Sequence, residues 1–232
     1  MSAESAPSST CRAKVQASLC AYYGDLAKEL ASQPDRPHSV PHRQEEFGAI
    51  IDKVVVDSSR KRILELACGV GFWTKRIAPT ARSIFAIDIS PVAIQVAREG
   101  SSVPHVEFAV QDVFAIDIGA RRFDLVFATS LLSHIRREDL SVFFSKLHSV
   151  VPMGTRFMFI DNARADRTLR PLALVDRNGN AFERRALHGG AEYTVLKNYY
   201  TDQELRLAIG DRVDDLQVDR RNHYYIVSYA NG

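Results

Sequence analysis

The chain opens on helical spacing and then changes period. Val15, Leu19, Tyr22, Tyr23, Leu26 and Leu30 recur at three- and four-residue intervals, which predicts a helix over Ala13–Leu30, broken at Gly24 and closed by the turn Pro34-Asp35-Arg36-Pro37. Phe47, Ile50, Ile51, Val54 and Val55 make one apolar stripe on a second helix, Arg43–Asp57. From there apolar runs of strand length alternate with helical stretches, the rhythm of a parallel sheet covered by helices on both faces. Arg62–Ala67, Ser83–Asp88, His105–Val110, Phe123–Ala128 and Thr155–Ile160 read as the strands. A helix over Phe72–Ala78 stops at Pro79, and Ser90 caps another whose first position is Pro91, where a missing N–H costs nothing. Arg137–Val151 is a longer helix with Leu140, Phe143, Phe144, Leu147 and Val150 on one face.

Period is lost between residues 161 and 192, which hold many Arg, Asn, Gly and Asp. A long excursion inside a compact domain is often functional, and this one is expected to shape a substrate pocket. Strand-like alternation returns over Ala191–Tyr200. Thr201-Asp202-Gln203-Glu204 is a capping box for a short helix that Gly210 closes. Val213–Asp219 and His223–Tyr229, joined by Arg220-Arg221-Asn222, suit an antiparallel hairpin.

The densest chemical signal is Ile63-Leu64-Glu65-Leu66-Ala67-Cys68-Gly69-Val70-Gly71-Phe72-Trp73-Thr74, a buried strand turning into a helix across two glycines. Neither glycine carries a Cβ, so backbone passes close beneath a ligand, and the helix aims free N–H groups into the same crevice. A dinucleotide fingerprint places a third small residue three positions after the second glycine, for close helix packing; Thr74 stands there, behind bulky Phe72 and Trp73. A phosphate loop needs Gly-Lys followed by Ser or Thr, which this turn lacks.

Glu65-Leu66-Ala67-Cys68-Gly69-Val70-Gly71 resembles the first motif of the class I S-adenosylmethionine-dependent methyltransferases, with Ala67 where that family more often has glycine. The resemblance extends through residues 62–160: Asp88 closing the second strand, Gln111-Asp112-Val113 after the third, and Phe123-Asp124-Leu125-Val126-Phe127-Ala128 as the fourth. Arg185-Ala186-Leu187 and Glu192-Tyr193-Thr194-Val195-Leu196-Lys197-Asn198-Tyr199-Tyr200 resemble a bacterial subgroup of small-molecule methyltransferases. What this implies is S-adenosyl-L-methionine as cofactor, held by Glu65, Ala67, Gly69, Gly71, Trp73, Asp88, Ile89, Asp112, Val113, Thr129 and Tyr22. Asp88 is placed to accept from both ribose hydroxyls, and Asp112 from the adenine amine while the Val113 N–H donates to the ring. Glu65 anchors the amino end or organises the loop, and Phe72, Trp73 and Tyr22 or Tyr23 suit a sulfonium and an ammonium through cation–π contact. Asp124 reads as structural, and Cys68 as a packed loop residue with no base beside it in sequence.

In Ala128-Thr129-Ser130-Leu131-Leu132-Ser133-His134-Ile135, His134 follows the fourth strand, where the acceptor meets the methyl group in this fold. A side-chain pKa of about 6.5 makes it the candidate general base. The competing reading is a histidine that simply satisfies hydrogen bonds, since methyl transfer needs positioning more than proton removal. Asp161, Asn162, Tyr193, Tyr199 and Tyr200 are candidate acceptor-pocket residues.

Composition narrows the partners. Thirty basic and 28 acidic residues leave a formal charge of +2, too small a field to argue for nucleic acid, and doublets such as Arg121-Arg122 and Arg220-Arg221 read as solvated turns. Three cysteines without a disulfide framework or metal-ligand spacing fit a reducing compartment and no bound metal. No signal-like N-terminus and no apolar run of about 18 residues is visible, so the expectation is a cytoplasmic protein that does not enter membranes. The fold expected is α/β: a doubly wound seven-stranded Rossmann-like sheet with its last strand antiparallel, in one domain over residues 13–232. Residues 13–57 form a helical lid, residues 161–192 the pocket insertion, and residues 1–12 are disordered. The function expected is methyl transfer to an O, N, S or C nucleophile on a small molecule, by a monomer or homodimer. The rivals are a nicotinamide-dependent oxidoreductase and a non-catalytic cofactor-binding module of the same fold.

Overall fold

The computed structural model describes residues 9–32, 43–163 and 172–232. Its elements in chain order are α1 (Ser9–Ser32), α2 (Gln44–Ser58), β1 (Arg62–Leu66), α3 (Phe72–Ile77), β2 (Ser83–Asp88), α4 (Pro91–Glu99), β3 (Val106–Val110), β4 (Leu125–Thr129), α5 (Leu140–Val150) and β5 (Arg156–Asn162). β6 (Leu172–Val175), β7 (Ala181–Ala186), β8 (Glu192–Leu196), α6 (Asp202–Ile209), β9 (Val213–Arg220) and β10 (Tyr224–Asn231) follow.

Beyond Arg62, β1 is apolar on both faces apart from Glu65, which requires a central position under helices on either side. It takes that position, in a seven-stranded sheet of order β3-β2-β1-β4-β5-β10-β9. β10 runs antiparallel to both β5 and β9, and the other neighbouring pairs are parallel, so the α/β sheet with its antiparallel last strand is the one the sequence predicts. Alternation along the strands divides the core. Leu64, Leu66, Phe85, Ile87 and Val126 face Phe143, Phe144 and Leu147 of α5, while Ile63, Ile84, Ala86 and Phe127 face Ile50 and Val54 of α2, Ile77 of α3 and Ile94 of α4. Strand order reverses between β1 and β4, and open α/β sheets bind ligands at such a switch point, beyond the carboxyl ends of the strands. Asp124 is structural, as expected: its carboxylate accepts from the Arg62 backbone N–H at 2.8 Å and from the Arg62 guanidinium at 2.6 Å, joining the starts of β1 and β4.

Local signals hold where the chain supplies its own partners. The Ser90 hydroxyl accepts from the Ala93 N–H, and Thr201 with Glu204 forms the reciprocal capping box. Four expectations change. Order begins by Ser9, so residues 9–12 are helical, and Arg12 pairs with Asp139 at 2.5 Å and lies over the Phe114 ring. Gly24 does not interrupt α1; a Cβ there would stand in ordinary contact with the Ser90 hydroxyl at 3.4 Å, where α1 crosses the start of α4. The excursion predicted over residues 161–192 is regular where it is described, for β6 and β7 lie within it and pair with β8 in a three-stranded antiparallel sheet, while residues 164–171 lie outside the described residues. The stretch 137–151 begins with a 3-10 turn, Arg137–Asp139, before α5. The predicted turn at Pro34-Asp35-Arg36-Pro37 and residues 1–8 lie outside the described residues. Among the described residues no helix is long and apolar enough to cross a membrane.

Candidate functional site

The glycine turn leaves β1 through three left-handed residues, Ala67 (φ 52°), Gly69 (φ 56°) and Gly71 (φ 78°). Ala67 carries a Cβ in that region, a strain of roughly 1–2 kcal/mol. A Cβ on Gly69 would meet nothing within 4 Å, whereas one on Gly71 would stand 3.4 Å from the Ala97 Cβ of α4. So Gly69 keeps space open above the turn, and at Gly71 the left-handed backbone is what favours glycine. Asp88 ties the turn to β2: one carboxylate oxygen accepts from the Gly69 N–H at 2.9 Å and the other from the Ser90 N–H at 2.8 Å. Burial raises the Asp88 pKa while these amides oppose the rise. Glu65 lies buried under the turn, where the Thr74 hydroxyl donates to it at 2.6 Å. Burial pushes its pKa up to about 8.

Two cavities flank this turn. The smaller, about 220 Å³, is lined by Ala67, Gly69, Asp88, Ile89, Asp112, Val113 and Thr129, together with Phe114, Leu131 and Ile135. The larger, about 500 Å³, has an aromatic and aliphatic wall that includes Tyr22, Leu26, Phe47, Phe72 and Trp73, and a polar wall that includes Asp161, Asn162, Glu183, Arg185, Lys197 and Tyr199. Tyr23, Gly69, Thr129, Ser130 and His134 line both, so the cavities meet at these five residues.

The structure therefore sorts the predicted residues. Ala67, Gly69, Asp88, Ile89, Asp112, Val113 and Thr129 come together in the smaller cavity, and Tyr22 and Trp73 stand in the larger. Glu65 and Gly71 line neither and act from below the turn. Asp161, Asn162 and Tyr199 belong to the larger cavity, but Tyr193 and Tyr200 do not. Tyr193 bonds Asp25 of α1, and Tyr200 is buried with its hydroxyl on the Ile135 carbonyl at 2.6 Å.

The polar wall is a connected network. Lys197 is buried, and its ammonium donates to Ser133 Oγ at 2.7 Å, Asn162 Oδ1 at 2.9 Å and Asp161 Oδ1 at 3.1 Å. Burial lowers the Lys197 pKa, and Asp161 opposes the change. Arg185 pairs with Glu183 at 3.0 Å, and Glu183 accepts from the Tyr199 hydroxyl at 2.9 Å. His134 is fully engaged: its Nδ1 lies 2.5 Å from the Leu196 carbonyl and its Nε2 2.6 Å from the Tyr23 hydroxyl. Burial, with the charges of Lys197 and Arg185, holds the His134 pKa well below its ordinary value.

Sequence reasoning missed Gln16, whose side-chain amide donates to both Asp112 oxygens at 2.9 Å, and missed Lys197 and Glu183. A single strand carrying Lys or Glu reads as solvated, and only the pairing of β7 with β8 shows these charges facing one another inside.

Residues 63–154 match a family described as a methyltransferase domain. The chain is 38% identical over 85 residues to malonyl-(acyl-carrier protein) O-methyltransferase of Acetivibrio thermocellus, covering 35% of this chain and 29% of that protein. It is 26% identical over 133 residues to nodulation protein S of Sinorhizobium fredii, covering 56% and 60% respectively. The chain thus spans less than two thirds of the length of these curated relatives. Among solved structures, the DhpI-SAM-HEP complex superposes with a TM-score of 0.72 at 24% identity, over 94% of this chain and 98% of that one. The N-methyltransferase NodS from Bradyrhizobium japonicum WM9 with S-adenosyl-l-homocysteine superposes with a TM-score of 0.60 at 15% identity, over 90% and 98%. These likenesses extend the shared fold across nearly the whole chain.

Proposed function

We propose that this chain, which carries a methyltransferase domain over residues 63–154, moves a methyl group from S-adenosyl-L-methionine to a small-molecule acceptor held in the larger cavity. The observation that carries the reading is the junction of two cavities of different character at Gly69, Thr129, Ser130, His134 and Tyr23. One cavity offers two carboxylates among apolar side chains, and the other a charged wall facing an aromatic one.

The donor set fits the cofactor. Asp88 retains acceptor capacity beyond its two backbone amides and faces a ribose, and Asp112 takes the adenine amine in place of the Gln16 amide. Ile89, Val113, Phe114 and Leu131 supply apolar surface for a purine, and the space over Gly69 admits the chain that leads on toward Trp73 and Phe72. Glu65 serves the loop from beneath. When bound, the cofactor supplies an electrophilic methyl on a sulfonium. The residues at the junction hold the acceptor in line with that methyl and keep water out, which is where most of the rate arises.

A cavity of about 500 Å³ has the size of a small-molecule site, and the near-balanced charge of the chain supports no polyanionic partner. Unpaired Cys11, Cys20 and Cys68 support a reducing, cytoplasmic setting. The relatives span O- and N-methylation, so the acceptor atom follows from the site rather than from likeness.

Calorimetry with S-adenosylmethionine, S-adenosylhomocysteine and NAD tests the cofactor: micromolar binding of the first two and none of NAD is expected. NAD binding without the others overturns the reading in favour of an oxidoreductase. Release of S-adenosylhomocysteine across a panel of hydroxyl, amine, thiol and carbon acids then identifies the acceptor. No turnover with any of them, despite cofactor binding, favours a non-catalytic binding module.

A further inference from the structure

At the junction of the two cavities, one carbonyl fixes the direction of a chain of hydrogen bonds. The Leu196 carbonyl only accepts, so His134 Nδ1, 2.5 Å away, carries a proton. Burial and the positive charges of Lys197 and Arg185 keep the ring neutral, which makes Nε2 an acceptor. The Tyr23 hydroxyl, 2.6 Å from Nε2, therefore donates to it. Arg185 Nη1 donates to the same Tyr23 oxygen from 3.3 Å. A phenol oxygen has two lone pairs; Arg185 takes one, and the other remains at a residue that lines both cavities.

We infer that Tyr23 is a catalytic residue, its oxygen receiving the proton of the acceptor's X–H group while its own proton passes to His134 Nε2. The inference rests on the proposed methyl transfer. As X bonds to the methyl carbon, the electron pair of the sulfur–methyl bond stays on sulfur and the X–H proton moves to the Tyr23 oxygen. The phenol proton moves to Nε2, so tyrosine ends the step as it began and histidine ends it as an imidazolium. His134, the base read from the sequence, thus acts at one remove. The reaction removes the sulfonium charge as the imidazolium charge appears, so the net charge within the pocket does not change. That balance lets a ring of low basicity take a proton at this step. Of the groups that face it, Lys197, just past β8, and Arg185 from β7 oppose a protonated ring, while Asp161 from β5 and Glu183 from β7 offset those cations at 3.1 and 3.0 Å. The acceptor atom implied is one that bears a proton, a hydroxyl or an amine in place of a tertiary nucleophile.

Sinefungin tests this without knowledge of the acceptor, because it carries a protonated amine in place of the methyl-bearing sulfonium and so presents N–H donors to Tyr23. The full chain should bind sinefungin more tightly than S-adenosylhomocysteine by calorimetry. Tyr23→Phe, which keeps the ring against Tyr22 and His134, should lower sinefungin affinity about tenfold, the worth of a charge-assisted hydrogen bond, and leave S-adenosylhomocysteine within about twofold. Equal loss of both ligands, or loss of neither, overturns the inference. In nitrogen-15 spectra of the histidine-labelled parent, His134 should be neutral with its proton on Nδ1, and its Nε2 resonance should move with sinefungin and stay with S-adenosylhomocysteine. A proton on Nε2 overturns the inference in the parent protein itself. Failure of both ligands to bind is a separate outcome, which removes the proposed function and this inference with it.

Discussion

The Thr74 hydroxyl and the Glu65 carboxylate, nine residues apart, meet at 2.6 Å beneath the glycine turn. A third small residue, which a dinucleotide site places where Thr74 stands, would leave that buried acid without its donor. Burial raises the Glu65 pKa from 4.5 to about 8. Between these values the folded chain holds a proton that the unfolded chain releases, so this group's contribution to stability is full below pH 4.5 and falls as pH rises toward 8. Glu65→Gln keeps a partner for Thr74 and cannot titrate. Relative to the parent, the variant should gain on the order of 2 kcal/mol between pH 5 and pH 8 in urea unfolding. Parallel pH profiles would overturn the buried, protonated assignment.

The two glycines of the turn should fail differently. Gly71→Ala places a left-handed Cβ in ordinary contact with Ala97, beneath the turn, and an unfolding loss of about 1–2 kcal/mol from the backbone strain is expected. Gly69→Ala has room, so its stability loss stays near the backbone strain of about 1–2 kcal/mol, while its methyl enters the space the cofactor needs. Calorimetry should show the larger loss of S-adenosylmethionine affinity in Gly69→Ala; the reverse ranking would move the ligand away from the turn.

Asp88→Ala removes both the expected ribose acceptor and the partner of the Gly69 and Ser90 amides. S-adenosylmethionine binding should weaken at least about 100-fold, as expected where buried donors lose a charged partner. Unchanged affinity by calorimetry would remove Asp88 from the cofactor site.

Much of this fold lies open to a reader of the chain because its signals are local. Ser90 and Thr201 cap their own helices, β2, β4 and β5 carry continuous apolar runs, and Asp88 and Asp112 fall at the ends of neighbouring strands. What stays hidden depends on partners far along the chain. Glu183 and Arg185 are buried because each neutralises the other, so β7 shows no apolar alternation. Residues of β6 are exposed, and their strand exists only through pairing with β7. Gly24 looks like a helix break until α4 is seen beneath it. Tyr22 and Tyr23 are adjacent in sequence, yet only Tyr23 reaches His134.

Lys197 tests the polar wall. Lys197→Met leaves the Asp161 carboxylate buried without its cation, and a loss of about 3–5 kcal/mol in chemical denaturation is expected. Adding Asp161→Asn should restore part of it; a double variant no more stable than Lys197→Met would mean the ion pair is not what the lysine serves.

Gln16 and Tyr23 stand on one face of α1, two turns apart, about 10.5 Å along its axis. One touches the carboxylate that an adenine needs, and the other the imidazole at the acceptor's end. An adenine amine that approaches Asp112 meets the Gln16 amide there, on the same helix that carries Tyr23. Any coupling that α1 transmits between the two cavities is reciprocal by thermodynamic necessity. A molecule seated against Tyr23 then shifts nucleoside binding by the same factor by which the nucleoside shifts its own.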